Sequence, residues 1–239
     1  MFFAMPLLPI LAIYIAAAVV PALILLRYVY HHDTVEKEPP GLLLILFLLG
    51  VVSALCATVL ESIAQTMLDL LVAPESPFYT VLVAFLVVAV MEEGAKLYFL
   101  KRCTWDHPAF NYRFDGIVYA VFVSLGFAAY ENILYVFQYG LSVALPRALL
   151  AIPGHMSFAV FMGVFYGRAK LCEGRENDAA SHRNVARGYL AAVFLHGFYD
   201  ACAMIGGGKA VLVFAAFIIL MYLSVYRTLR REAAADTPV

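Results

Sequence analysis

Long apolar runs separated by short polar segments dominate the chain. Runs of membrane length cover about 5–27, 41–62, 78–101, 114–137, 145–168, 187–206 and 209–227. About 20 apolar residues are what one helix needs to cross the hydrocarbon layer. The pattern predicts an all-α fold, a polytopic transmembrane helical bundle of about seven spans. The second span has room to continue as helix to Leu71, which would carry Glu61 and Asp69 towards an interface. Pro21 is expected to kink the first span, and Pro153 with Gly154 to loosen the fifth. The connecting segments leave no room for a soluble domain. We therefore expect one transmembrane domain over 1–231 and a short polar tail, 232–239, without fixed structure.

Composition sharpens this. Hydrophobic residues make up 64% and charged residues 14% of 239, and the mean hydropathy is +0.87. A soluble domain of this size has no use for so much apolar sequence, and the lipid bilayer is the expected surrounding. A nucleic-acid partner is not expected. The net charge of −1 says little, but the placement of the basic residues says more. Of the 16 lysines and arginines, 13 flank the odd-numbered connections and the carboxyl end. Arg147 and Lys209 flank the even-numbered ones, and Lys96 lies inside a span. The positive-inside rule then puts the carboxyl end in the cytoplasm and the amino end outside. No basic residue precedes the first apolar run, which argues for a retained span rather than a cleaved signal peptide. Four cysteines without C-x-x-C spacing indicate neither a zinc ribbon nor a disulfide framework. Short connections and the lack of targeting sequence fit a prokaryotic plasma membrane.

Against this background the polar groups inside the spans stand out. Glu92, Glu93 and Lys96 sit late in the third span, where each charge costs roughly 2.5–3.5 kcal/mol to insert. Neighbouring helix positions diverge by about 100°, so the two glutamates cannot point the same way. Lys96, three and four residues on, can reach either. The fourth span carries Glu131 and Asn132, the fifth His155, and the sixth His196 with Asp200 on the same helix face. At ~1.5 Å of rise per residue these groups fall in the middle to outer half of the bilayer, Glu131 furthest out. Four consecutive helices with such residues predict one polar cavity. A structural ion pair for Glu92, Glu93 and Lys96, and a structural cap for Glu131 and Asn132, are the bland alternatives. Glu61 and Asp69 are expected at an interface rather than in the site.

Two hydrolytic schemes suit these residues. In one, a glutamate is general base to a water while a histidine and Lys96 stabilise the oxyanion. In the other, a metal such as zinc, held by ligands drawn from His155, His196, Glu93, Glu131 and Asp200, activates the water. No H-E-x-x-H stands in the sequence, so ligands would come from separate helices.

The order Glu-Glu-x-x-Lys (Glu92 to Lys96), Phe-x-x-x-Glu-Asn (Phe127 to Asn132), a mid-span His155 and His-Gly-x-x-Asp (His196 to Asp200) resembles the PrsW family of intramembrane proteases. It is more distantly similar to the CAAX-prenyl protease and bacteriocin-processing superfamily. Those wider relatives have Glu-Glu-x-x-x-Arg and Phe-x-x-x-His, where this chain has Lys96 one residue sooner and Glu131. The resemblance covers roughly Phe78 to Met204. It implies cleavage of a single-pass membrane protein, such as an anti-sigma factor, on its extracytoplasmic side as a first step of stress signalling. By the same resemblance Glu92, Glu93 and His196 are the catalytic residues, with His155 next. Lys96, Glu131, Asp200 and Asn132 are expected to support them, and metal dependence is left open. A proton-coupled transporter or channel is the alternative from another class, since buried carboxylates and histidines also relay protons. A catalytically inactive scaffold is a third.

Overall fold

The computed structural model describes residues 7–239, so the first two residues of the expected first span lie outside the described residues. The helices are α1 (Leu7–His32), α2 (Pro40–Leu71), α3 (79–104), α4 (Asp115–Tyr139), α5 (Ala144–Leu149), α6 (Ala151–Glu173), α7 (Asp178–Ile205) and α8 (Gly208–Ala234). α3 is continuous but changes winding: Tyr79–Leu82 is α, Val83–Ala89 is π, and Val90–Thr104 is α again. Among the described residues, α1, α2, α4, α7, α8 and the stretch through α6 are long and apolar enough to cross a membrane. α3 is as long, and its charges set it apart. The protein is thus an all-α polytopic bundle.

α4 lies at the centre, with α1, α2 and α6 against it, and α6 packs in turn on α7. Ile117, Val118, Tyr119, Val121, Leu125 and Ala128 of α4 are all buried. The outer helices expose the faces that lipid would cover, through Leu44, Ile63, Leu70, Leu212 and Leu220 among others. Helices in lipid gain little from hiding apolar side chains, so close backbone approach matters more. It is visible where α2 crosses α4. A Cβ added to Gly50 would meet the Val123 carbonyl at 2.0 Å, and one on Gly126 would meet the Phe47 carbonyl at 2.0 Å.

The fifth span begins differently from expectation. A break at Leu150 separates α5 from α6. Pro153 then stands in the first turn of α6, where its missing N–H leaves no bond unmade and the helix is not loosened. α7 starts at Asp178, well before residue 187, because Asn177 caps it by accepting the Ala180 N–H.

The odd-numbered connections gather at one end, as the charge pattern requires. Asn111 in the third donates to Glu36 in the first at 3.1 Å. The tail also docks there, instead of lacking fixed structure. Glu232 is buried and paired with Arg113, Arg168 and Arg231. Asp236 accepts the Phe114 N–H, and Arg113 N–H donates to the Thr237 carbonyl. Its polar residues bind partners on the rim rather than water.

Candidate active site

α3 and α7 build the inner wall. The π segment of α3 ends one turn before Glu92, and such widened turns alter which side chains face a neighbour. Its Phe85 lies against Gly197, where an added Cβ would meet the ring at 2.5 Å. The Val90 carbonyl, where α winding resumes, accepts from the Tyr189 hydroxyl at 3.0 Å. α3 is thereby held tightly beside His196.

The central cluster is buried and densely bonded. Lys96 Nζ donates to Glu93 Oε1 at 2.7 Å and to Glu92 Oε2 at 3.1 Å, so it reaches both glutamates. The same ammonium lies 3.1 Å from His155 Nδ1 and 4.0 Å from the centre of the Phe127 ring. His196 Nδ1 is 2.9 Å from Glu93 Oε1, while its Nε2 is 3.3 Å from Asp200 Oδ2 and 3.9 Å from Glu92 Oε2. The two imidazoles stand edge to face, ring centres 5.2 Å apart, and Phe158 stacks on His196 at 4.7 Å. Glu92, Glu93, Lys96, His155 and His196 are all at most 6% exposed.

A cavity of about 530 Å³ opens beside this cluster. Glu92, His155 and His196 reach it, and Asp200, Glu131 and Glu61 line it further out. Its remaining wall includes Leu134, Tyr135, Tyr199 and Met204. Glu93 and Lys96 are not among its lining and form the rear of the site.

Glu131 joins the cluster through His155, with Oε2 3.0 Å from His155 Nε2. The same oxygen is 3.0 Å from the Arg147 guanidinium. Asn132 points elsewhere. It donates to the Ala18 carbonyl of α1 and accepts from Arg147 Nε, fastening α1, α4 and α5 together. Glu61 lies on the cavity wall rather than at an outer interface. Asp69 accepts from Gln65 and Tyr79 and does not line the cavity. Arg147 was the residue that sequence reasoning missed. As one of two basic residues on the even-numbered connections, it carries a topological signal that hides its place in the site.

Glu92, Glu93, His155 and His196 offer ligand atoms within 4.8 Å of one another. Two carboxylates and two imidazoles are a fitting donor set for a metal of the zinc type. Glu93 Oε2 is buried with no hydrogen-bond partner among the described residues, which leaves one carboxylate oxygen free for such an ion. Glu92 belongs to this set, whereas Glu131 and Asp200, both expected as candidates, stand outside it.

A helical membrane protein with paired acids and imidazoles at the floor of a lipid-depth cavity has the makings of an intramembrane hydrolase. The profile of the PrsW family intramembrane metalloproteases matches residues 38–226, and the chain belongs to that family. It is a peptide hydrolase and a multi-pass membrane protein of a prokaryote. It is 35% identical over 186 residues to protease PrsW of Geobacillus kaustophilus, covering 78% of this chain and 77% of the relative. To protease PrsW of Oceanobacillus iheyensis it is 29% identical over 218 residues, covering 91% and 94%. To that of Bacillus subtilis it is 34% identical over 186 residues, covering 78% and 80%. No solved structure matches the chain.

Proposed function

We propose that the protein cuts a single-pass membrane protein near its extracytoplasmic side, with a water made reactive by Glu92. The observation that carries this is the position of Glu92, between His196 and Lys96 at the floor of a cavity lined by residues that the positive-inside rule puts in the outer half. Glu92 takes the proton of the water. His196 Nε2, between Glu92 and Asp200, passes a proton to the leaving amine. Glu93 holds Lys96 and His196 in register, and Asp200 fixes the imidazole from the other side. Lys96 keeps a positive charge behind Glu92 from the rear of the site, while Glu131 orients His155, which lines the cavity.

In the metal-dependent scheme, Glu92, Glu93, His155 and His196 would instead hold the metal that the family description names. When bound, such an ion supplies Lewis-acid polarisation and lowers the proton affinity of a water. Zinc suits the donor set best. An anti-sigma factor is the substrate we favour, the cut being the first step of a stress signal. Membership of a protease family favours this over the proton-coupled transporter also considered.

Purified protein in liposomes, given a single-pass reporter with a tagged outer end, tests this. We expect two fragments whose junction maps within the outer third of the span. No cleavage, with proton-driven uptake instead, would contradict the proposal.

A further inference from the structure

We propose that Glu61 selects the substrate by receiving a lysine or arginine side chain beside the bond that is cut, an inference that rests on the protease reading above. α2 presents Ala54, Thr58 and Glu61 to the cavity. These are positions i, i+4 and i+7, one face of the helix. The first two are small, so the wall is recessed below the carboxylate. Beyond the Gly50–Gly126 crossing, Ala54 and Ala57 of α2 pack on Phe127 with Tyr130 against them, and a gap then opens towards Glu131, Leu134 and Tyr135 of α4. Glu61 lies at the outer end of that gap, ~30 Å of helix above Pro40. A transmembrane segment passing between α2 and α4 would run its outer end past this carboxylate.

The charge balance names the partner. Every other acid of the site has a basic one: Glu92 and Glu93 have Lys96, Glu93 and Asp200 have His196, and Glu131 has His155 and Arg147. Glu61 has neither a hydrogen bond nor an ion pair among the described residues. Both permanent cations of the site are already engaged. A carboxylate at membrane depth is retained at a cost, and is expected to meet a cation or water. With both cations of the site engaged, the substrate is the source of the cation in this proposal. Lysine and arginine suit this, since their apolar stems can lie along Tyr130 and Leu134 while the charged end reaches outward.

The test uses the full-length protein in liposomes and single-pass reporters with Lys, Arg, Gln or Glu at each position flanking the cut. At one position we expect Lys or Arg to exceed Gln by about 10-fold in kcat/KM, the scale on which one pocket contact discriminates. Glu61→Gln should bring that ratio close to one, Glu61→Asp should keep most of it, and Glu61→Lys should turn the preference towards Glu. Because ratios are compared, a uniform loss from a poorly folded variant does not mimic the result. A preference unchanged in Glu61→Gln, or no basic preference in the native protein, overturns the proposal while leaving the protease reading intact. A native protein that cuts none of the reporters overturns that reading itself.

Discussion

At the scale of single residues the site is a buried ion network. Lys96 serves two carboxylates and one imidazole, and it shares both glutamates with His196. Removing one member of a buried ion network leaves a charge uncompensated, so Lys96→Met should destabilise the fold by roughly 3–5 kcal/mol. Unfolding in detergent would measure it, and a change below about 1 kcal/mol would contradict this account. The free Glu93 oxygen and the four donors lead us to expect about one divalent ion per chain, of the kind such ligands bind. Elemental analysis should find it in the native protein and not in His155→Ala or Glu93→Ala. A fully active, ion-free protein would speak for the metal-free scheme. Residue spacing made part of this legible. Lys96 with Glu92 and Glu93, and His196 with Asp200, are neighbours on their own helices. The meeting of His155 with Glu131 and Lys96 crosses between helices, which spacing along one chain cannot reveal. Arg147 stayed hidden because a basic residue in a connection is also a topological signal.

At the scale of elements, the site depends on two close approaches. Gly126→Ala would drive a methyl into the Phe47 carbonyl and separate α2 from α4. Overpacking of this kind costs about 1–3 kcal/mol, readable as a lower unfolding midpoint. Gly197→Ala acts nearer the chemistry. It would push Phe85 and the π segment of α3 away from α7, shifting the glutamates relative to His196. We expect cleavage to fall by at least ~10-fold, because small misplacements of reacting groups cost rate steeply, while the unfolding midpoint changes less than in Gly126→Ala. The opposite ranking would contradict the role given to this contact. The number and order of the helices could be read from apolar run lengths. The π segment could not, since one widened turn leaves the hydropathy pattern of a fully apolar run unaltered. The start of α6 was misjudged because a proline reads as a breaker until its position within the first turn is known.

For the whole molecule, the end that carries the odd-numbered connections is as specifically built as the site. Glu38, in the connection between α1 and α2, is buried and accepts from the Tyr119 hydroxyl, with Asp115, Asp33 and Glu36 also nearby. Burial raises its pKa from 4.5 to about 7, and that of Asp33 from 3.8 to about 6. The folded chain then holds protons that the unfolded chain releases, so stability is lost as pH rises through the interval from about 4.5 to about 7. Unfolding midpoints in detergent should fall across that interval, and Glu38→Gln should flatten the dependence. A midpoint that rises with pH there would contradict the assignment. The basic residues mark the odd-numbered connections, and the structure gathers parts of the first and third at one end. The docking of the tail was not legible in the sequence, because Glu232 and Asp236 look solvent-bound until their arginine and backbone partners are brought together by the fold.

The account rests on acids of α3 and imidazoles of α6 and α7 acting on one water. The most direct measurement is the cleavage rate of a single-pass reporter in liposomes by Glu92→Gln, Glu93→Gln and His196→Asn, each alone. We predict a fall of at least about 100-fold for Glu92→Gln and His196→Asn, the range for losing a general acid or base, and a clear fall for Glu93→Gln, which holds Lys96 and His196 in register. A near-native rate in any one of the three would contradict the account.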